Sequence, residues 1–206
     1  MRLSTFAAIA QALAEEGVRY LVAGGMAVIA RGYPRYTVDV DLVIALDHDN
    51  VLAAFRALGR LGYRPTVPVT AEDFADGSRR MGFIRDKGML VLNFQSASHA
   101  ATPVDVFVAE PFDFAVEYGR TRPEEIAPGV VSRFVTIPTL IAMNPADDGI
   151  DWSVTTWEGS RRANIRQWLR LTVRERFEAV EEAGEFARYM AERRESVDTV
   201  DPERRR

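Results

Sequence analysis

The order of apolar and polar positions predicts helices and strands intermixed over the first 143 residues. Apolar side chains recurring every three or four residues predict amphipathic helices over 5–16 and 47–61, because that spacing places them on one helix face. Short apolar segments predict two smaller helices, at 26–31 and 138–143. Apolar or alternating runs bounded by turn residues predict strands, at 19–23, 38–45, 89–94, 103–108 and 129–137.

Intermixed helices and strands predict an α+β fold with a mixed sheet and flanking helices. The pattern changes at residues 144–151, where an Asn-Pro-Ala-Asp-Asp-Gly stretch predicts a linker between two parts of the chain. Charged helices predicted over 158–169 and 173–193 would then form a C-terminal helical hairpin. The predicted organisation is a first domain over 1–143, a linker over 144–151, a helical module over 152–194 and a disordered tail over 195–206.

The second helix of this hairpin carries two informative signals. Thr172 with Glu175 three residues later predicts a capping box at its start. Val173, Phe177 and Val180, continued by Ala187 and Met190, predict an apolar stripe along one face. A two-helix hairpin cannot bury such a stripe by itself, so the module is predicted to dock on the first domain of its own chain or of a second copy, and to restrain it.

Composition excludes several classes of protein. The chain has 206 residues, a net charge of −4 and no cysteine, which excludes disulfides, thiolate zinc sites and a cysteine nucleophile. No apolar run approaches the roughly 18 residues that crossing a bilayer requires, and a cytoplasmic protein is expected. The negative charge argues against a surface coated with basic residues for long nucleic acid.

The candidate chemistry centres on two carboxylates in the predicted strand 38–45. Residues two apart on a strand point to the same face, so Asp39 and Asp41 project together while Val40 and Leu42 enter the core. Like charges held side by side are unfavourable unless a cation lies between them. Oxygen ligands of this kind suit Mg²⁺, which accepts one or two carboxylates together with phosphate oxygens.

A third carboxylate and a glycine pair extend this candidate site. Asp105 interrupts the otherwise apolar strand 103–108, and it reaches the same ion if the two strands are neighbours. Gly24 and Gly25 predict a sharp turn before the helix at 26–31. Without side chains, that turn would let backbone N–H groups approach a triphosphate.

These motifs together resemble the minimal nucleotidyltransferase fold of the polymerase-beta superfamily. The segment from Gly32 to Asp41 is similar to that of bacterial abortive-infection and toxin-antitoxin nucleotidyltransferases, in which an arginine and a threonine precede the metal carboxylates. The resemblance implies that Arg35 and Thr37 position nucleotide phosphates. It also implies that the C-terminal helices are an antitoxin-like module.

The implied function is Mg²⁺-dependent transfer of a nucleoside monophosphate from a nucleoside triphosphate to an acceptor hydroxyl on tRNA, another RNA or a protein. Asp39, Asp41 and Asp105 would be the metal ligands and catalytic residues. The alternatives are a catalytically inactive interaction protein and a nucleotidyltransferase acting on an antibiotic. Members of the group that the segment resembles commonly continue after the part corresponding to residues 138–143 with a lysine- and arginine-bearing helix, whereas here Asn144 and Pro145 break the pattern. The resemblance therefore leaves phosphate binding to other cations, namely Arg79, Arg80, Arg85 or Lys87.

Overall fold

The computed structural model describes residues 2–34, 37–143 and 168–185. The predicted linker, the tail predicted to be disordered and almost all of the first predicted hairpin helix lie outside these residues, and so does Arg35. Among the described helices, none combines the length and hydropathy needed to cross a lipid bilayer.

The elements described up to residue 143 follow one another as a mixture of helices and strands, which confirms the α+β class. The helices are α1 (Leu3–Glu15), α2 (Gly24–Ala30), α3 (His48–Arg60), α4 (Ala71–Ala75), α5 (Gly77–Lys87), α6 (Phe114–Arg120) and α7 (Ile137–Met143). The strands are β1 (Tyr20–Val22), β2 (Val40–Ile44), β3 (Arg64–Pro65), β4 (Val91–Gln95), β5 (Val104–Phe107), β6 (Glu124–Ala127) and β7 (Val130–Ser132).

The five strands of the main sheet lie in the order β1-β2-β5-β4-β3. Strands β2 and β5 run parallel, whereas the other neighbours are antiparallel, so the sheet is mixed as predicted. The free edge of β1 is partly covered by a later segment, since Val22 donates to the carbonyl of Arg133 and accepts from the amide of Val135. Strands β6 and β7 form a separate hairpin.

Alternation along the strands determines which face of the sheet is buried. Val40 and Leu42 of β2, Val104 and Val106 of β5, and Leu92 and Phe94 of β4 are all at most 1% exposed. Helices α1 and α3 pack against each other, and each contributes buried apolar residues to the same core. On β2, β5 and β4, the intervening Asp41, Asp105 and Asn93 are half-buried on the opposite face.

The helix after β1 begins two residues earlier than predicted. Gly24 and Gly25 are its first residues and not a separate turn. The change of direction occurs at Gly24 itself, whose φ of 54° is readily adopted by glycine and rarely by residues with a side chain. The turn and the start of the helix therefore coincide.

The described part of the C-terminal helix spans 173–185. Val173, Phe177 and Val180 of its predicted apolar stripe pack against the core formed by residues 2–143, whereas Ala187 and Met190 lie outside the described residues. The ring of Phe177 is fully buried, with its centroid 5.6 Å from that of Phe6 and 5.8 Å from that of Phe134. The capping box is present: Thr172 Oγ1 accepts from the Glu175 amide, and Glu175 accepts from the Thr172 amide at 2.7 Å. The described part of this helix thus completes the core of its own chain.

Candidate active site

Register between β2 and β5 brings the three predicted carboxylates together. Asp41 lies directly opposite Asp105 in the parallel pair, and Asp39 precedes β2 by one residue. One carboxylate oxygen from each residue lies within 4.8 Å of the other two. All three side chains are half-buried, so they are partly shielded from water and still open to a ligand.

Asp39 is oriented by a nearby hydroxyl. Thr37 Oγ1 donates to Asp39 Oδ1 at 2.7 Å. A hydrogen bond to a charged acceptor is about twice as strong as one between neutral groups, so it restricts the carboxylate to one orientation. This contact gives Thr37 a role within the protein, and its predicted contact with phosphate stays a prediction.

Asp105 has a partner that the sequence analysis missed. Asn93 lies opposite it in the β4–β5 pair, and Asn93 Nδ2 donates to Asp105 Oδ1 at 2.7 Å. A signal was present in the sequence, because Asn93 interrupts an apolar run between Leu92 and Phe94 just as Asp105 interrupts its own strand. Recognising it required knowing which strand lies beside β5.

The glycine pair makes room for the site's own side chains. A Cβ built on Gly24 would lie 2.6 Å from Asp41 Cγ, and one built on Gly25 would lie 2.7 Å from Thr37 Oγ1. Real Cβ atoms do not approach other atoms so closely, so neither position accepts a side chain without displacing part of the site. This packing accounts for both glycines, and their predicted role in holding a triphosphate remains untested.

The four basic residues considered for phosphate binding all lie on α5, where each contacts another group. The partners are Asp73 for Arg79, the carbonyl oxygens of Phe74 and Ala75 for Arg80, Asp86 for Arg85 and the ring of Phe83 for Lys87. Arg80 also donates to the carbonyl of Leu46, which follows the end of β2, whereas Asp41 lies near its start. The described contacts therefore do not support a phosphate-binding role for these four cations.

The chemistry of the donor set fits a hard divalent cation. Three carboxylates at this separation repel one another, and a cation bound between them removes that repulsion. Carboxylate oxygens are the protein ligands of Mg²⁺ and Ca²⁺, and half-buried positions leave room for water or phosphate oxygens to complete the coordination. Asp39, Asp41 and Asp105 are hence the residues that would hold such an ion.

No protein-family model matches the chain, and no curated protein matches it. Among solved structures, the chain is similar to the solution structure of the antibiotic-resistance factor ANT(2'')-Ia, with 17% sequence identity and a TM-score of 0.46. The similarity covers 94% of this chain and 96% of the other. A likeness this slight assigns neither a family nor an activity.

Proposed function

We propose that the protein is a Mg²⁺-dependent nucleotidyltransferase, which moves a nucleoside monophosphate from a nucleoside triphosphate to an acceptor hydroxyl. The observation that carries the proposal is the convergence of Asp39, Asp41 and Asp105, whose carboxylate oxygens lie within 4.8 Å of one another on, or one residue before, the adjacent parallel strands β2 and β5. A carboxylate trio beside a glycine-led helix suits a reaction in which phosphate groups and a cation must be held together.

The three carboxylates have separate roles in this proposal. Asp39 and Asp41 hold the cation, and Asp105 completes its site and accepts the proton of the attacking hydroxyl. The acceptor oxygen forms a bond to the α-phosphorus while the bond from that phosphorus to the pyrophosphate oxygen breaks. A bound Mg²⁺ supplies neutralisation of the phosphate charge.

The acceptor and the biological setting belong to the same proposal. We infer an RNA, such as tRNA, or a protein as acceptor, and a role within a toxin-antitoxin system, on the resemblance of the segment from Gly32 to Asp41. An antibiotic as acceptor, or a fold that has lost catalysis, are the alternatives. These possibilities differ in which molecule receives the nucleoside monophosphate, and in the last case none does.

The test incubates the purified protein and Mg²⁺ with each α-labelled nucleoside triphosphate and, in turn, total RNA, total protein or a panel of hydroxyl-bearing antibiotics. Label in RNA or protein supports the proposal, and label in a drug supports the antibiotic alternative. Asp39→Asn and Asp105→Asn should each abolish labelling. Asp49→Asn is the control, because the side chain of Asp49 is 99% exposed and lies on α3, outside the trio.

The absence of label with every acceptor would contradict the proposal and favour a protein without catalysis. Equal labelling by wild type and by both site variants would also contradict it, because it would show that the trio is not needed. Transfer that continues when EDTA replaces Mg²⁺ would remove the metal requirement.

A further inference from the structure

A row of three polar residues crosses the centre of the main sheet. Asp41 of β2, Asp105 of β5 and Asn93 of β4 are in register on neighbouring strands. Adjacent strands lie about 4.8 Å apart, so each side chain is within reach of the next. The row begins in the proposed metal site and ends in an uncharged residue with no assigned function.

The direction of the hydrogen bond between Asn93 and Asp105 follows from chemistry. An ionised carboxylate only accepts hydrogen bonds, so the amide nitrogen of Asn93, and not its oxygen, must face Asp105 Oδ1. At 2.7 Å between nitrogen and oxygen, this is a short bond of the charge-assisted kind. The side-chain amide nitrogen of Asn93 therefore donates its hydrogen bond to the Asp105 carboxylate.

Asn93 is itself held rigidly. Its neighbours Leu92 and Phe94 are 0% and 1% exposed in the core, and its carbonyl accepts the amide of Thr66 at 2.9 Å. Because the strand that carries it is fixed in this way, Asn93 Nδ2 holds the Asp105 carboxylate in one orientation. Groups that orient metal ligands in this way are worth roughly 10–100-fold in metal affinity or activity.

We infer that Asn93 is a positioning residue for Asp105, which holds one carboxylate oxygen so that the remaining lone pairs face the cation shared with Asp39 and Asp41. The inference rests on the proposed metal site and adds a residue to it. An aspartate in this place would add a fourth negative charge, and an apolar residue would leave Asp105 without its donor.

The test measures binding of Mn²⁺ alone to the full chain, with free Mn²⁺ followed by electron paramagnetic resonance. Asn93→Leu removes the donor at similar size, and we expect its Kd for Mn²⁺ to rise about 10-fold or more. The matched control is Gln95→Leu, the same kind of change two residues along the same face of β4, where the side chain is exposed and should leave the Kd unchanged. Asn93→Gln, which keeps an amide, should recover part of the affinity.

Thermal unfolding in EDTA shows whether each variant is folded, and Asn93→Ala replaces Asn93→Leu if the latter is not. Wild-type affinity in a folded donor-free variant would overturn the positioning role and leave the metal site standing. Equal losses of Mn²⁺ affinity in the Asn93 and Gln95 variants would also overturn it. Such a result would show that any loss of an amide on this face of β4 weakens binding. A wild-type chain that binds no Mn²⁺ would remove both the metal site and this inference.

Discussion

Single residues at the site are constrained by how closely the polypeptide approaches its own carboxylates. Gly24 adopts a φ of 54° directly beside the side chain of Asp41, and Gly25 lies against Thr37. Thr37 and Asn93 in turn donate to two of the three carboxylates. The site is therefore held by contacts that tolerate little change in side-chain size.

Gly24→Ala should destabilise the protein and weaken Mn²⁺ binding. The left-handed backbone costs a residue with a side chain about 1–2 kcal/mol, and the added methyl group must also displace the Asp41 carboxylate. Gly88→Ala is the control, because Gly88 has a φ of 61° and, apart from Gly88 itself and its two chain neighbours, no described residue has a heavy atom within 4 Å of the position its added methyl group would take. The free energy of unfolding from urea titration and the Kd for Mn²⁺ are the measurements. Equal destabilisation by both changes, with unaltered Mn²⁺ binding, would contradict the proposed overlap.

At the scale of elements, the described C-terminal helix contacts segments that are distant from one another in the sequence. Phe177 packs against Phe6 of α1 and against Phe134, which follows β7. The guanidinium of Arg176 donates to the carbonyl of Ala30, the last residue of α2, and this places a positive charge where a helix end favours one. Burial lowers the pKa of Arg176, but it leaves the group protonated.

Phe177→Ala should lower the free energy of unfolding by about 3–5 kcal/mol, the usual cost of emptying a buried phenylalanine site. Leu90→Ala should have little effect, because Leu90 is 73% exposed. Chemical denaturation of both variants measures the difference. If the two changes cost the same, the packing of this helix on α1 would not contribute to stability.

For the whole molecule, these contacts alter the expected result of removing the C-terminal part. The sequence analysis predicts that the helical module restrains the first domain, so that a chain ending at Met143 would be more active. The described helix instead fills a core position between Phe6 and Phe134. We expect a chain ending at Met143 to unfold at a lower temperature than Phe177→Ala, because it exposes both rings.

Differential scanning calorimetry of the wild type, of Phe177→Ala and of the chain ending at Met143 tests this expectation. A shortened chain that melts as the wild type does, and transfers nucleotide faster, would contradict the structural role and support the inhibitory one. Adding the separate C-terminal segment should raise the melting temperature of the shortened chain if docking stabilises it.

Two tyrosines predict a loss of stability at alkaline pH. Burial raises the pKa of Tyr20 to about 12 and that of Tyr63 to about 12, against an ordinary value near 10. Between pH 10 and 12 the unfolded chain releases these protons while the folded chain retains them, so the folded state loses stability as pH rises. Absorbance at 295 nm should show late ionisation that Tyr20→Phe and Tyr63→Phe each reduce. Ionisation of both groups near pH 10 in the folded protein would contradict this.

Local pattern by itself determined many of the elements described up to residue 143. Periods of 3.6 and 2 place α1, α3, β2 and β5 within a few residues of their observed bounds, because those patterns record which face of one element is buried. The same period of 2 predicted that Asp39 and Asp41 share a face. Helices α4, α5 and α6 and the strands β3 and β6 were missed, since they are short or bury too few residues to show a clear period.

Tertiary structure decided the contacts between elements that are distant in sequence. Register placed Asp41 opposite Asp105 and brought Asn93 into the site, and no periodicity within one strand specifies its neighbour or its register. The proximity of Gly24 to Asp41 explains why this position has no side chain, which the sequence analysis had linked to phosphate binding. Likewise, the apolar stripe on the C-terminal helix predicted that this face is buried, but not against which surface. The space between Phe6 and Phe134 determined where Phe177 packs, because the hydrophobic effect is non-directional and does not by itself select a partner.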